Sequence, residues 1–143
     1  MNIEAKFMER QFIPVNIALL TISDTRTHDD DTSGKVLRER VEAENHIITA
    51  QTIVRDDKYD IRSILSQWIA DPNIQAIITT GGTGLTGRDG TPEAVKILFD
   101  KDIEGFGELF RQLSYDVIRT STVQSRAIAG VANGTFLFCL PGS

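Results

Sequence analysis

Residues 74–93 read IQAIITTGGTGLTGRDGTPE: a run of β-branched and apolar residues, Ile74 to Thr80, passes straight into a glycine-rich loop and then into a helix start at Thr91-Pro92-Glu93. The apolar run has the length and content of a strand. Threonine followed by proline suits an N-cap and a first helical position, where proline's missing N–H is not needed. Strand, glycine loop and helix in that order form the unit of a parallel α/β sheet.

The same alternation extends in both directions. Upstream, Val15 to Ile22 (VNIALLTI) is nearly all apolar, as expected of a strand covered on both faces, and ends at Ser23-Asp24. Ser33 to Ala43 follows with Val36, Leu37, Arg40 and Val41 at helical spacing, and Asp31, Thr32 or Ser33 is available as its N-cap. His46 to Val54 reads as a second strand, ending at Arg55-Asp56-Asp57. Ile61, Ile64, Leu65, Trp68 and Ile69 then recur at i, i+3, i+4, i+7 and i+8, an amphipathic helix that Asp56 or Asp57 can cap and Asp71-Pro72-Asn73 ends. Downstream, Phe106, Leu109, Phe110 and Leu113 mark a further helix. Ala127 to Ala132 and Thr135 to Leu140 flank Asn133-Gly134, the dipeptide of a type I′ hairpin. These elements predict a three-layer α/β/α sandwich, mostly parallel, with an antiparallel edge from the last hairpin.

Composition limits the function classes. A hydrophobic share of 41% and a charged share of 24% are those of an ordinary globular domain, and 143 residues suffice for one core. The net charge of −5 argues against a dedicated nucleic-acid binder, but it leaves room for a small phosphorylated ligand held by backbone N–H groups, a few arginines and a divalent cation. The N-terminal residues carry Glu4, Lys6, Glu9 and Arg10 without an apolar core, and no apolar run approaches the ~20 residues that span a bilayer, so a cytoplasmic protein with no membrane partner is expected. The lone Cys139 lies in the apolar run Phe136 to Leu140 and reads as buried filler. His28 and His46 lack metal-ligand spacing with it.

Ligands of open α/β sheets bind beyond the carboxyl ends of the parallel strands. Those ends deliver Ser23 and Asp24, Asp56 and Asp57, the loop Thr80-Gly81-Gly82-Thr83-Gly84, and Pro141-Gly142-Ser143. TTGGTG permits close backbone approach to phosphate oxygens, although a tight strand-to-helix turn needs the same residues and a Walker A loop is excluded by the absence of GKS or GKT. Asp56 and Asp89, from different strand ends, suit Mg2+, which takes one or two carboxylates together with substrate phosphates; helix capping is the competing role for Asp56 and Asp57. Arg126, beside Ser121, Thr122 and Ser125, is a candidate phosphate ligand, with Arg111 and Arg119 as further arginines of that half.

Taken in order, Ser23-Asp24, Asp31-Thr32-Ser33-Gly34, TTGGTG, RDGTPEA, EGFGELFR, TSTVQSRAIAG and the closing PGS resemble the molybdopterin-binding MoaB/Mog family, and the MoaB branch most. The resemblance runs from Val15 to Ser143, leaving residues 1–14 as an N-terminal extension. It implies an assembly of three or six copies that works with other proteins of molybdenum cofactor biosynthesis. Active members join molybdopterin to AMP: its terminal phosphate attacks the α-phosphate of ATP and pyrophosphate leaves. Carried over by position, Asp56 and Asp89 serve Mg-ATP. Gly81, Gly82, Thr83 and Gly84 form the phosphate cradle, and Ser121, Ser125 and Arg126 lie where the pterin or its phosphate is held. Glu108 and Arg111 shape the pocket or a subunit interface. The family's C-terminal helix beyond Pro-Gly-Ser has no counterpart in this sequence. The alternative within the same fold is a carrier that binds molybdopterin without adenylylating it. A flavodoxin-like domain is disfavoured by the aromatic share of 7%.

Overall fold

The computed structural model describes residues 11–142. Its elements run β1 (Asn16–Ile22), α1 (Thr32–Ala43), β2 (Ile47–Val54), α2 (Lys58–Ala70), β3 (Ala76–Thr80), α3 (Thr91–Lys96), β4 (Lys101–Asp102), α4 (Glu104–Ile118), a 3-10 turn (Arg119–Gln124), β5 (Ile128–Ala132) and β6 (Thr135–Leu140). One sheet of order β2-β1-β3-β6-β5-β4 carries them. β2, β1, β3 and β6 are mutually parallel; at one edge β5 runs antiparallel to β6, and β4 antiparallel to β5. The mostly parallel α/β architecture is therefore the expected one. Two pieces lie outside the sequence reading: β4, a two-residue strand of charged residues, and the 3-10 turn.

Alternation along the strands assigns each face to its helices. Ala18, Leu20, Ile22, Ile77, Leu137 and Cys139 point to one side and pack with Ile61, Leu65 and Trp68 of α2 and Ala94 and Val95 of α3. Burying side chains such as Ile61 and Leu65 completely contributes about 1.5–3 kcal/mol each. Ile17 and Leu19 turn to the other side, against Val41 and Leu37 of α1. On that side Phe106 of α4 packs on Phe138, ring centroids 5.3 Å apart. Cys139 is buried as expected, and burial pushes its thiol up to about 11.

Caps and turns follow local chemistry. Asp31 is the N-cap of α1 and accepts from Gly34 N–H, while Asp57, not Asp56, caps α2 by accepting from Tyr59 and Asp60 N–H. Asn133 and Gly134 take φ of 50° and 77°, the left-handed pair that a type I′ hairpin demands. The start of α3 differs from expectation: Gly90 is the N-cap, with no side-chain cap bond, and Thr91 is already helical. Thr91 is fully buried and its hydroxyl donates to Gly81 O at 2.9 Å, so the inward pull of the loop overrides its capping preference. Among the described residues no helix is long and apolar enough to cross a membrane.

Candidate functional site

Because β1, β2, β3 and β6 are parallel, their carboxyl ends meet on one edge of the sheet. Asp24, after β1, accepts from the Asp56 N–H after β2 at 3.1 Å. Gly81, after β3, donates to Leu140 O at 3.0 Å, and the Thr80 hydroxyl donates to Pro141 O at 3.1 Å, joining the loop to the end of β6. Ser33 at the start of α1 donates to Gly142 O. Ser23 is occupied locally, its Oγ accepting from Thr25 and Arg26 N–H at 3.2 and 3.0 Å. Ser143 lies outside the described residues.

The glycine loop has a geometry that other residues would not allow. Gly82 has φ of 70°, and a Cβ there would overlap the Thr91 hydroxyl and lie 3.1 Å from Asp56 Oδ2. At Gly84 a Cβ would lie 2.6 Å from Asp89 Oδ2. The absence of side chains thus lets the loop reach both carboxylates.

Two cavities open beside this loop. A polar one of about 460 Å³ is lined by Asp56, Asp57, Lys58, Arg88, Asp89, Glu93 and Arg126, together with the Leu85–Gly87 turn. An apolar one of about 730 Å³ is lined by Gly81 to Gly84, Asp89, Ser121, Ser125, Pro141 and Gly142 and walled by Phe110, Leu113, Val117 and Ile118 of α4. Asp89 belongs to both. The structure therefore brings the glycine loop, Ser121, Ser125 and the end of β6 to one cavity, and Asp56 and Arg126 to the other.

Electrostatics divide the carboxylates in and around the polar cavity, Asp24 lying outside its lining and reaching it through Arg88. Asp24 is held below the usual carboxylate range by Arg88, which binds it with Nε–Oδ2 at 3.0 Å and Nη2–Oδ1 at 2.7 Å. Asp89 is also held low, first by the Thr86 hydroxyl at 2.6 Å and then by the Thr86 N–H at 3.0 Å. Asp56 moves the other way: burial raises it, and the charges of Asp24 and Asp89 add in the same direction, against the lowering pull of the Gly90 N–H at 3.1 Å. Several anionic oxygens gathered at a partly desolvated spot fit a hard divalent cation. Among the described residues no three His, Cys, Asp or Glu side chains gather to hold a metal by themselves, so substrate oxygens and water would have to complete the shell.

The arginines are arranged differently from what spacing alone suggested. Arg126 does not project freely into a cavity: Nε donates to Thr83 O and Gly84 O at 3.2 and 2.8 Å, Nη2 donates to Asp89 O at 2.6 Å, and Nη1 pairs with Glu93. Arg111 donates to Ser125 O at 3.3 Å. Lys58, first residue of α2, was missed by the sequence reading; only its place after the Asp57 cap, next to a strand end, could have signalled it. Ser125 Oγ and Thr122 Oγ1 are buried without a protein hydrogen-bond partner among the described residues, and Ser125 borders the apolar cavity. An orphaned hydroxyl there fits a polar ligand atom.

The chain as a whole is similar to known proteins. Residues 18–143 match the family described as "probable molybdopterin binding domain". The chain belongs to that family. Molybdenum cofactor biosynthesis protein B of Escherichia coli K12 is 51% identical over 133 residues, covering 93% of this chain and 78% of that protein. A crystal structure of a molybdenum cofactor biosynthesis protein B superposes with a TM-score of 0.90 at 42% identity, over 94% of this chain and 84% of that one. The tungsten cofactor synthesizing protein MoaB from Pyrococcus furiosus superposes at 0.81 with 36% identity, over 91% and 83% of the two chains. Membership of the molybdopterin-binding family extends over every element of the site from β1 to β6.

Proposed function

We propose that this protein binds molybdopterin in the apolar cavity and Mg-ATP in the polar one, and transfers AMP to the terminal phosphate of the pterin. The observation that carries this reading is Asp89, a wall of both cavities, at the end of a glycine loop that also borders the pterin side. Two substrates seated on either side of one carboxylate have their reacting atoms in reach of each other, and proximity of this kind supplies much of the rate of a phosphoryl-type transfer.

The chemistry balances without a covalent enzyme intermediate. A terminal phosphate oxygen of molybdopterin forms a bond to the α-phosphorus of ATP as the bond from that phosphorus to the bridging oxygen breaks, and pyrophosphate leaves with its electron pair. Bound Mg2+ would neutralise charge on the nucleotide phosphates. Asp56 and Asp89 would hold it, the cation offsetting the repulsion that Asp24 and Asp89 exert on Asp56. Loop N–H groups of Gly82 and Thr83 are suited to orient phosphate oxygens, and the orphaned Ser125 hydroxyl to meet the pterin or its phosphate. Asp24, tied to Arg88, keeps that cation at the mouth of the polar cavity.

One observation favours a second reading, in which the protein carries molybdopterin without adenylylating it. Arg88 and Arg126 are both paired with carboxylates, so Lys58 is the cavity's cation with no ion pair among the described residues. The test is pyrophosphate release from Mg-ATP with and without molybdopterin, in the parent chain and in Asp89→Asn. Transfer requires release that depends on the pterin and falls at least ~10-fold in the variant, the equivalent of about 1.4 kcal/mol of transition-state stabilisation. Pterin binding with no release would establish the carrier. Release unaffected by Asp89→Asn would remove Asp89 from the mechanism.

A further inference from the structure

The Arg126 guanidinium spans the glycine loop. Its Nε meets the carbonyls of Thr83 and Gly84 where the loop leaves β3, Nη2 on the same edge meets the carbonyl of Asp89 where the loop enters α3, and Glu93 of α3 pairs with Nη1. In a trans peptide the C=O of one residue and the N–H of the next point in opposite directions. A carbonyl drawn to Arg126 therefore turns the following N–H away from it. The N–H after Asp89 is that of Gly90, and it donates to Asp56 Oδ1 at 3.1 Å. The N–H after Thr83 is that of Gly84, whose backbone lies against the Asp89 carboxylate and helps hold it ionised.

We propose that Arg126 is a positioning residue that fixes the directions of both Asp56 and Asp89, acting through the Asp89-Gly90 and Thr83-Gly84 peptide units and not by touching the ligand. Its own place is secured from behind. Arg111 donates to Ser125 O and Ala127 O, the carbonyls on either side of it, and Ala127 is buried immediately before β5. A guanidinium suits this task because its donors lie in one plane with fixed directions, so three carbonyls and a carboxylate are held in one geometry; a lysine ammonium would hold fewer of them.

The inference rests on the reading that Asp56 and Asp89 hold a divalent cation with ATP. The test compares the full chain with Arg126→Gln, Arg126→Lys, Glu93→Gln and Asp89→Asn. Mn2+ binding in the presence of ATP is followed by electron paramagnetic resonance, molybdopterin affinity by titration, and the Gly84 and Gly90 amides by NMR. Arg126→Gln should weaken Mn2+ binding roughly 10- to 100-fold, the range for groups that orient metal ligands from behind, and shift both amides. Arg126→Lys should recover part of the loss, and Glu93→Gln should show a smaller loss of the same kind, which keeps the test intact if Arg126→Gln does not fold. Parent-like Mn2+ affinity in Arg126→Gln, while Asp89→Asn loses it, overturns the proposal. So does loss of molybdopterin binding with Mn2+ binding intact, which would make Arg126 a direct ligand contact. If Asp89→Asn keeps the parent affinity, the cation assignment fails instead, and the amides alone decide: unmoved Gly84 and Gly90 signals in Arg126→Gln overturn the positioning role.

Discussion

Asp56 and Asp57 are adjacent carboxylates with opposite environments. Asp57 stays low because the Asp60 and Tyr59 N–H groups donate to it, and Asp56 is raised by burial and by the nearby charges of Asp24 and Asp89. A carboxyl whose folded pKa lies above its unfolded value of ~3.9 is less at ease charged in the folded chain than in the unfolded one. The charged Asp56 therefore destabilises the fold at neutral pH. That cost fades as pH falls through the raised folded value and is gone below the unfolded one. Asp56→Asn, which can still accept from Gly90 N–H, should melt higher than the parent at pH 7 and converge with it toward pH 4, while losing cation binding. Thermal unfolding at a series of pH values checks this; a variant that melts lower at neutral pH would mean that the Asp56 charge is compensated within the protein itself. Asp24, Asp57 and Asp89 have the opposite sign, giving stability above ~3.9 that is lost as acid reaches their lowered values.

At the scale of elements, the site depends on two helix starts of different kinds. α1 begins at Asp31, buried, which accepts from Gly34 N–H at 3.0 Å and from the Thr21 hydroxyl at 2.6 Å, so one carboxylate ties the helix to the end of β1. Asp31→Ala should cost about 1–2 kcal/mol, the upper range for an N-cap because a buried hydroxyl also loses its acceptor, and Asp31→Asn distinctly less; urea unfolding followed at Trp68 measures both. α3 has six residues and no side-chain cap, too short to persist by itself. It is held by buried Ala94 and Val95 and by Arg62, whose Nε and Nη2 donate to Ala94 O and Glu93 O at 2.9 and 3.1 Å. The element that closes the glycine loop is thus a product of tertiary contacts, which is why its sequence signal misplaced the cap by one residue. α4 is amphipathic, yet Leu113 and Val117 remain 62% and 82% exposed beside the apolar cavity. Replacing both with serine should change thermal stability by less than ~1 kcal/mol, since exposed side chains contribute little to folding. The same pair should weaken molybdopterin binding roughly fivefold, about 1 kcal/mol of lost apolar contact. Unchanged binding would take the α4 wall out of the ligand site.

For the molecule as a whole, the core and the site are separable. The large core beneath α2 and α3 includes Leu65, completely buried, and Leu65→Ala should cost about 2–5 kcal/mol in chemical unfolding without altering the order of ligand affinities. By itself the sequence determined the alternation of strands and helices, the parallel sheet with its antiparallel hairpin, the burial of Cys139 and the strand ends at which a site could form, because periodicity, turn chemistry and β-branched content are local properties of the chain. It also made membership of the family legible, since motifs keep their order and spacing whatever their side chains touch. Only the tertiary structure decided that Asp57 and not Asp56 caps α2, that Thr91 turns inward, that Lys58 borders the polar cavity and that Arg126 grips the loop. Each of those outcomes depends on which of several nearby donors and acceptors meet in space. Arg126 and Thr83 are separated by 43 positions, and no pattern along the chain encodes the direction in which a loop carbonyl points.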